Sequence, residues 1–330
     1  MAQFVYEQLI NSASFGANTS EQTKIIKLPR TNWLRRIKLN GKISVDAAGT
    51  SPNNATIQRL LKNIEVKANG NASLVSVSGE DLAQINLREY KTNENIMPNG
   101  IQSTTTYYFS WIIDFAVNMS NSNDLSALVP AQNFTSFDLI LNTNRTTIAA
   151  GNSDTTLTSF DVNVVLDEVY MTDNEAEAMY GGKNYPKLLK VLIAQFEGSI
   201  DTAHSNYSGT IPIMPGYVIT KLLLRTSDTA DLTAVSKNDL VSSYKLYQHT
   251  TAGNFTWDMQ DWRSSQLQDV LEHNLNDVKD ITGSIQYDAT GSLGGLDARN
   301  MSPTDLSIKY NNTDTEFSYH LTEVYVVVPQ

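Results

Sequence analysis

The 330-residue sequence contains no cysteine. This absence excludes disulfide bonds, thiolate metal sites, iron–sulfur clusters and a cysteine nucleophile, so packing has to stabilise the fold. Histidine is scarce, with four residues, and no two of them have the i, i+4 spacing that places two imidazoles on one helix face for zinc. The sequence therefore predicts no metal site, no cofactor and no catalytic residue.

Long hydrophobic runs are also lacking. The longest apolar stretch, Leu188 to Phe196, is interrupted by Lys190 and Gln195, and it is far shorter than the ~20 residues that a membrane-spanning helix needs. The N-terminal residues show no basic stretch followed by an apolar core, which a signal peptide would have. We therefore expect a soluble chain without a targeting segment.

Charged residues are few, at 18%, against about 25% in an average soluble domain. Asparagine, serine and threonine together supply about 28% of the residues. Their short polar side chains form hydrogen bonds with nearby backbone groups, which favours turns over helix interiors. The composition predicts many short strands joined by loops and disfavours an all-helical bundle.

The net charge of −11 is unevenly distributed along the chain. Residues 1–91 carry twelve basic and seven acidic residues, whereas the rest of the chain is strongly acidic. Basic residues between Lys24 and Lys42 alternate with apolar ones, which is typical of the solvent face of strands. Two interpretations stay open: a solvated strand face, or a surface that faces lipid headgroups or packaged nucleic acid.

Period-two alternation of apolar residues predicts strands in both halves of the chain, and helical periodicity is restricted to a few segments. The predicted helices are Glu80–Tyr90, opened by a capping box at Ser78, and Met259–His273, with a shorter one starting at Asp173. The predicted strands are 23–28, 33–45, 64–68, 74–77, 107–117, 137–142 and 160–171 in the first half, and 210–214, 218–226, 240–248, 283–287, 306–310 and 317–328 in the second.

The two halves resemble each other. In both, a helix lies between the early and the late strands, and four strand segments match in type and order. The matches are Lys24–Pro29 with Ile211–Pro215, Leu34–Leu39 with Thr220–Arg225, Asp138–Asn142 with Asp305–Lys309, and Leu166–Tyr170 with Leu321–Tyr325. This internal repeat predicts two similar β-domains in sequence.

We expect the boundaries of these domains at composition shifts and turn residues. The prediction is an N-terminal arm at 1–22, a first domain at 23–172, a junction at 173–208 and a second domain at 209–330. Within the arm, the spacing of Phe4, Val5, Leu9 and Ile10 predicts a short amphipathic helix.

Patterns typical of enzymes are weak. The glycine-rich stretch Gly291–Asp297 lacks the Lys-Ser/Thr ending of a phosphate-binding loop. Asp167 and Glu168 are neighbours, but adjacent strand residues point to opposite faces, so they do not form an acid–base pair. The tryptophans have two open interpretations, a sugar-binding platform or packing in a core or interface; they are Trp33, Trp111, Trp257 and Trp262.

The order of elements, the absence of cysteine and the polar loops resemble the double jelly-roll major capsid proteins of tailless icosahedral viruses. Leu128–Leu139 resembles the passage into the late strands of a jelly roll in that family, and Trp33–Ile37 resembles an early strand. The size is similar to that of the compact members from bacterial viruses with an internal membrane, such as the lipid-containing phage of Flavobacterium.

This resemblance implies an all-β fold of two consecutive eight-stranded jelly-roll β-sandwiches, each with a short helix. It implies a structural protein, not an enzyme, that forms pseudo-hexameric homotrimers in an icosahedral shell and is assembled in the host cytoplasm. The partners implied are neighbouring capsomers, vertex or penton proteins and an internal viral membrane, without specific nucleic acid. Contact with the membrane or inner rim falls to Phe4, Val5, Leu9, Ile10, Lys24 and Arg30.

The alternative from another class is a two-domain β-sandwich that binds carbohydrate, as in a fibre or adhesin. A third is a β-rich hydrolase, which would need a cleft of converging polar groups.

Overall fold

The computed structural model describes residues 4–16, 21–47, 60–90, 105–117, 124–143, 155–180, 189–200, 205–211, 217–227, 241–250, 253–256, 260–261, 264–265, 267, 284–288, 296–297, 306–311 and 317–327. The chain divides into two compact units. Unit 1 comprises Met1–Val191 and Val328–Gln330, and unit 2 comprises Leu192–Val327. The division between them falls within residues 173–208.

Unit 1 is built mainly of strands. Its strands within the described residues are β1 (Phe4–Ser14), β2 (Thr23–Lys27), β3 (Trp33–Ala47), β4 (Leu61–Ala68), β5 (Ala72–Val77), β6 (Thr105–Asp114), β7 (Val129–Pro130), β8 (Phe137–Thr143) and β9 (Thr155–Tyr170). Its helices are α1 (Gly79–Tyr90), a 3-10 turn (Ala131–Asn133) and α2 (Asp173–Tyr180).

The strands of unit 1 form two antiparallel sheets. The first sheet has the order β1-β9-β3-β6, with the short β7 beside β3, and the second has the order β5-β4-β8-β2. Apart from β7, the eight strands are divided equally between the sheets in the order of a jelly roll.

Alternation along the strands explains where the core lies. In β3, Ile37, Leu39 and Ile43 are fully buried, while Lys38 and Lys42 between them are at least partly exposed. Strand β8 alternates in the same way. Each sheet therefore presents one apolar face to the interior of the sandwich.

Aromatic side chains fill part of this core. Phe109 meets Trp111 edge-on with ring centroids 4.8 Å apart, and Phe15 stacks on Phe160 at 5.0 Å. The buried indole Nε1 of Trp111 donates a hydrogen bond to the carbonyl of Gly79, at 2.9 Å. Helix α1 is thereby tied to the core at its first residue.

Unit 2 has ten strands within the described residues: β10 (Leu189–Ile200), β11 (Ser205–Ile211), β12 (Val218–Ser227), β13 (Val241–Thr250), β14 (Gly253–Thr256), β15 (Gln260–Asp261), β16 (Ser284–Asp288), β17 (Leu296–Asp297), β18 (Leu306–Asn311) and β19 (Phe317–Val327). One run of neighbours is β16-β12-β19-β10, and a second sheet has the order β11-β18-β13-β14. The two-residue strands β15 and β17 pair with β13 and β12.

The strand order is the same in both units. Strands β10, β19, β12 and β16 correspond to β1, β9, β3 and β6, and strands β11, β18, β13 and β14 correspond to β2, β8, β4 and β5. Three of the four segment matches in the sequence fall on corresponding strands, and of the fourth, Ile211–Pro215, only Ile211 lies in the described residues, at the end of β11. The duplication predicted from the sequence is confirmed, and so is the fold of two consecutive eight-stranded jelly rolls.

Several elements differ from the sequence-based expectation. The helix predicted around Phe4, Val5, Leu9 and Ile10 is wrong, because this segment is strand β1, paired antiparallel with β9 from Phe4↔Tyr170 onwards. Strands β10 and β14 lie where no strand was predicted, and so do the two-residue strands β7, β15 and β17. Helix α1 is confirmed, whereas the helix predicted at Met259–His273 lies mostly outside the described residues, of which 264–265 and 267 are helical.

Candidate functional site

The outward surface of the first sheet is the candidate functional site of unit 1. We call it the outer face. Cross-strand pairs share a face, so the register places its residues in rows across four strands. Strand β1 contributes Glu7, Leu9 and Ser12; β9 contributes Asp161, Asn163, Val165 and Asp167; β3 contributes Arg36, Lys38, Asn40 and Lys42; and β6 contributes Tyr108, Ser110, Ile112 and Asp114.

A chain of ion pairs crosses three strands of the outer face. Arg36 Nε lies 2.7 Å from Asp167 Oδ2, Lys38 Nζ lies 3.1 Å from Asp167 Oδ1, and the same Nζ lies 2.8 Å from Glu7 Oε1. The hydrogen bond and the positive charge of Lys38 lower the pKa of Glu7. Burial lowers the pKa of Arg36, but the negative charges of Asp167 and Asp114 outweigh burial and raise it overall. These pairs hold β1 onto the sheet through its side chains as well as its backbone.

A second, buried cluster surrounds Asp114 at the end of β6. Arg35 donates to Asp114 through Nε, at 2.9 Å, and through Nη2, at 3.3 Å. The Tyr90 hydroxyl donates to Oδ2 at 2.9 Å and the Ala116 amide to Oδ1 at 2.8 Å. Burial and the charge of Asp114 raise the pKa of Tyr90, so its phenol stays a donor. The carboxylate accepts hydrogen bonds from three residues, and these bonds hold the end of β6 against Arg35 and against Tyr90 at the end of α1.

Helix α1 protects the free edge of β6. Its residues from Gly79 to Glu89 are all buried. The Asn86 side-chain amide donates to the carbonyl of Ile112 at 2.8 Å and accepts from the amide of Ile112 at 2.7 Å. It therefore takes the place of a neighbouring strand at one residue of the edge.

The N-terminus of α1 is fixed by the capping residues that the sequence indicated. The Asp81 amide donates to Ser78 Oγ at 3.1 Å, and this hydroxyl donates to Asp81 Oδ2 at 2.6 Å. The orphan amide and the hydroxyl are both satisfied, so the start of the helix is locally determined.

One end of the outer face is covered by α2. Trp33, Val169, Ala176 and Tyr180 belong to one buried cluster there. The rings of Trp33 and Tyr180 lie 5.2 Å apart, and the Tyr180 hydroxyl donates to the carbonyl of Leu125 at 2.7 Å. The exposed part of the outer face begins beyond this cluster.

The exposed part contains an open groove of about 310 Å³ around Gly41. A β-carbon at Gly41 would lie 2.2 Å from Phe109 Cε2, so only glycine lets this ring pack across the strand. Ser110 Oγ donates to Asn40 Oδ1 at 2.8 Å, and Ser12 Oγ donates to Asn163 Oδ1 at 2.6 Å. The groove is lined by Asn40, Gly41, Lys42, Tyr108, Phe109, Ser110 and Asn163.

The outer face exposes apolar as well as charged side chains. Its most exposed apolar side chains are Leu9, 63% exposed, and Tyr108, 69% exposed. Among the described residues, no group of three or more His, Asp or Glu side chains is arranged to hold a metal ion. Within the same residues, no helix is long and apolar enough to cross a membrane.

The residues expected at a membrane or inner rim lie on both sheets. Phe4, Val5, Leu9 and Ile10 lie on β1, at the edge of the first sheet. Lys24 lies on β2, at an edge of the second sheet, and is exposed.

Arg30, which follows β2, is also exposed. Its Nη1 donates to the carbonyls of Phe134 and Thr135, both at 2.6 Å. Its guanidinium thus holds the turn before β8.

The tryptophans in unit 1 are core residues. Trp33 is 4% exposed and Trp111 is fully buried, which confirms packing rather than a sugar platform for these two. Trp257 and Trp262 lie outside the described residues. In unit 2, His320 lies buried on β19, with Nδ1 3.1 Å from Arg225 Nη2, so it occupies a strand face as its position in the alternating sequence indicates.

Sequence reasoning missed most of the outer face. The alternation of Arg36, Lys38 and Lys42 was visible, but their partners on β9 and β6 were not. Arg36 and Asp167 are 131 residues apart. The only signal in the sequence for this pairing was the equal spacing of charged residues in β3 and in β9.

Comparison with known proteins bears on the fold. No family model matches the sequence, and no curated protein matches it. Solved structures do match this chain. One is the crystal structure of the major capsid protein of STIV, the Sulfolobus Turreted Icosahedral Virus. Its sequence is 17% identical to this chain, the match covers 99% of this chain and 97% of that chain, and the TM-score is 0.75. This chain has the double jelly-roll fold of viral major capsid proteins.

Two further double jelly-roll structures extend the comparison. The capsid of the PBCV-1 virus is 10% identical, with 99% and 95% of the chains covered and a TM-score of 0.64. The major capsid protein P2 of bacteriophage PM2 is 14% identical, with 98% and 96% covered and a TM-score of 0.54. The similarity therefore spans both jelly rolls and is a similarity of fold.

Proposed function

We propose that this protein is the major capsid protein of an icosahedral virus and that its function is self-assembly rather than catalysis. The observation that carries the proposal is the identical strand order of the two jelly rolls. Three copies of such a chain supply six similar barrels, so a trimer has a nearly sixfold outline and can tile a closed surface. Three copies of a chain with a single barrel would supply only three barrels, so the sixfold outline accounts for the duplication.

The described surface supports an assembly role. Charges on the outer face are largely paired within the chain, which lowers the cost of removing them from water on contact. Leu9 and Tyr108 supply exposed apolar area on the same face. The described residues do not support the carbohydrate-binding alternative: two of its candidate residues, Trp33 and Trp111, are buried, and Trp257 and Trp262 lie outside those residues.

The proposal includes the partners and location. The chain forms homotrimers that contact neighbouring capsomers and vertex or penton proteins in the virion shell, after assembly in the host cytoplasm. The segments that hold Phe4, Val5, Leu9, Ile10, Lys24 and Arg30 contact the inner rim or an internal membrane. The exposed positions of Leu9 and Lys24 on edge strands support this placement.

Light scattering and electron microscopy of the purified protein test the proposal. Three chains of 36.6 kDa give an expected mass of about 110 kDa, and images should show particles with a hexagonal outline. A protein that stays at the mass of one chain at high concentration, with no regular particles, would refute it.

Membrane contact is tested separately by flotation with anionic lipid vesicles. We expect co-flotation at low salt and its loss in the double variant Lys24→Glu with Leu9→Asp, because both the positive charge and the apolar side chain are removed. Co-flotation equal to that of the unmodified protein would contradict the inner-rim assignment.

A further inference from the structure

We propose that β1 is exchanged between neighbouring copies of this chain, so that β1 of one copy pairs with β9 of a second copy in place of that copy's own β1. The inference rests on the proposed function in one respect, since it needs copies of the chain to associate. It adds to that function the segment that links two copies. Four features of β1 carry it: its low burial, its reproducible contacts, the turn at its end and its blunted outer edge.

Strand β1 buries few of its side chains. Alternate residues are buried in β3 and β8, whereas none of residues 7–12 of β1 is buried. Gln8 pairs with the buried Leu166 and therefore lies on the inward side of the sheet, yet Gln8 is exposed. Asn11, which pairs with the buried Val164, is exposed as well. The hydrophobic core thus contributes little to holding this part of β1 in place, which is typical of segments that open locally.

The contacts that do hold β1 would be made equally well by the same strand of another copy. Within the described residues they are the backbone pairing with β9, the ion pair of Glu7 with Lys38 at 2.8 Å and the hydrogen bond of Ser12 with Asn163 at 2.6 Å. All of them join β1 to β9 or β3. An arriving β1 has an identical sequence, so exchange leaves the number and kind of these contacts unchanged.

The end of β1 combines an anchor with a turn. Phe15 stacks on Phe160 at 5.0 Å, and its amide donates to the Phe160 carbonyl at 2.8 Å, which sets the register for an arriving strand. Gly16 follows with a φ of +56°, in the left-handed region that favours glycine, so the chain turns here. Residues 15–22 connect β1 to β2. A connection of eight residues spans up to about 26–29 Å, several times the ~4.8 Å between paired strands, which is long enough to carry β1 to an adjacent molecule.

The outer edge of β1 is unsuited to the addition of a further strand. The pairing with β9 is irregular at Ile10, between Leu9 and Asn11. The Ser12 amide donates to Asn11 Oδ1 at 2.7 Å, so it is already occupied by a neighbouring side chain. A bulge and an occupied amide both oppose pairing at a strand edge. Backbone pairing between copies through β1 is therefore expected on its β9 side, where one strand replaces its equivalent and the sheet does not grow.

Association of copies decides which chain supplies the strand. In an isolated chain, the short connection keeps β1 at a high effective concentration near its own β9, and β1 pairs within the chain. In an assembly, β1 of a neighbour is held nearby as well, and the two pairings compete through the same contacts. We therefore expect exchanged strands in the assembled protein and none in the monomer.

The absence of cysteine allows exchanged strands to be trapped by a disulfide bond. Ser12 and Asn163 lie opposite each other on β1 and β9, so thiols at these positions are close enough to form a disulfide. Chains with Ser12→Cys are mixed with chains with Asn163→Cys, assembled together and oxidised. A link between positions 12 and 163 can then form only between two chains. It should give a band at twice the chain mass of 36.6 kDa on a non-reducing gel, with the linked peptides identified by mass spectrometry.

Two controls define what the band means. Each single variant, assembled and oxidised alone, lacks the second thiol and should give no link between positions 12 and 163. The double variant Ser12→Cys with Asn163→Cys, oxidised as a dilute monomer, should close the disulfide within one chain and keep the mass of one chain. This closure shows that the variant is folded and that the two positions meet. Failure to close would overturn the register on which the inference depends.

Assembly of the unmodified protein separates this inference from the proposed function. If the unmodified protein assembles and the mixed variants give no link between positions 12 and 163, the capsid proposal stands and strand exchange is refuted. If the unmodified protein stays a monomer at high concentration, the capsid proposal fails, and strand exchange fails with it because no second copy supplies a strand. The link in the assembled mixture, together with its absence in a dilute mixture of monomers, is the result expected.

Discussion

The packing of Phe109 over Gly41 makes a quantitative prediction for the variant Gly41→Ala. The added β-carbon would lie 2.2 Å from Phe109 Cε2 and 2.4 Å from Cζ, whereas carbon atoms in contact lie about 3.5–4.0 Å apart. The ring therefore has to move by more than an ångström. Its neighbours restrict this movement, because the ring centroids of Trp111 and Phe160 lie 4.8 and 6.2 Å from that of Phe109. Overpacking of this kind costs about 1–3 kcal/mol.

Replacing glycine also stabilises the folded state by about 0.4–1 kcal/mol, because the unfolded chain loses freedom. We therefore expect a net loss of about 1–2 kcal/mol in the free energy of unfolding of unit 1. For a unit of this size each kcal/mol lowers the melting temperature by about 2–4 °C. Differential scanning calorimetry of Gly41→Ala should show this decrease.

The control is a double-mutant cycle with Phe109→Leu, whose shorter side chain leaves room for the β-carbon. The cost of Gly41→Ala should fall by about 1 kcal/mol in that background, since contacting residues couple by about 0.5–3 kcal/mol. Additive effects of the two substitutions would show that the ring does not set the requirement for glycine, and the reasoning would be wrong.

Three further predictions concern the helices and the pH dependence. Asn86→Ala should lower the free energy of unfolding by about 2–6 kcal/mol, measured by urea titration, because both backbone groups of Ile112 lose a partner, at about 1–3 kcal/mol each; a loss below 1 kcal/mol would contradict the role of Asn86 at the edge. Thr172→Ala should cost about 1 kcal/mol, because Thr172 caps α2 together with Glu175, and an unchanged melting temperature would speak against this cap. The pKa values of Glu7 and Glu175 are lowered from 4.5, so their stabilisation is fully present above pH 4.5 and is lost as the pH falls through the lowered values; melting temperatures that do not fall in acid would contradict this.

Strands with clear alternation could be predicted from the sequence, because a strand that is buried on one face has an apolar residue at every second position. Strand β3 was predicted from Trp33 to Val45 and is observed from Trp33 to Ala47. The repeat was visible for the same reason, since corresponding strands bury the same side chains.

The first strand of each unit was missed, and the physical reasons are specific. Phe4, Val5, Leu9 and Ile10 have the spacing of a helix face, but their partner strand begins about 150 residues later, and its pairing decides the conformation. Strand β10 contains four consecutive apolar residues, Val191 to Ala194, which carry no alternation. Tertiary pairing overrides local periodicity in such segments.

Within the candidate site, residue types were predictable and their neighbours were not. The basic residues of β3 were recognised as a strand face. Their pairing with Asp167 and Glu7 depends on the register between strands that are far apart in sequence, and a bulge between Leu34 and Arg36 shifts this register by one residue. No local pattern determines such a shift.

The bond between Asn86 and Ile112 has a consequence for how this protein behaves at high concentration. At high concentration, an exposed strand edge can pair with the strand edge of a neighbouring molecule, and repeated pairing of this kind leads to aggregation. The Asn86 carboxamide obstructs that route at the β6 edge, since the two backbone groups of Ile112 that a foreign strand would recruit already have a partner. Under the proposed function, copies of the chain then associate through side-chain surfaces, which can form a closed assembly of fixed number, rather than through backbone pairing at this edge, which adds strands without limit.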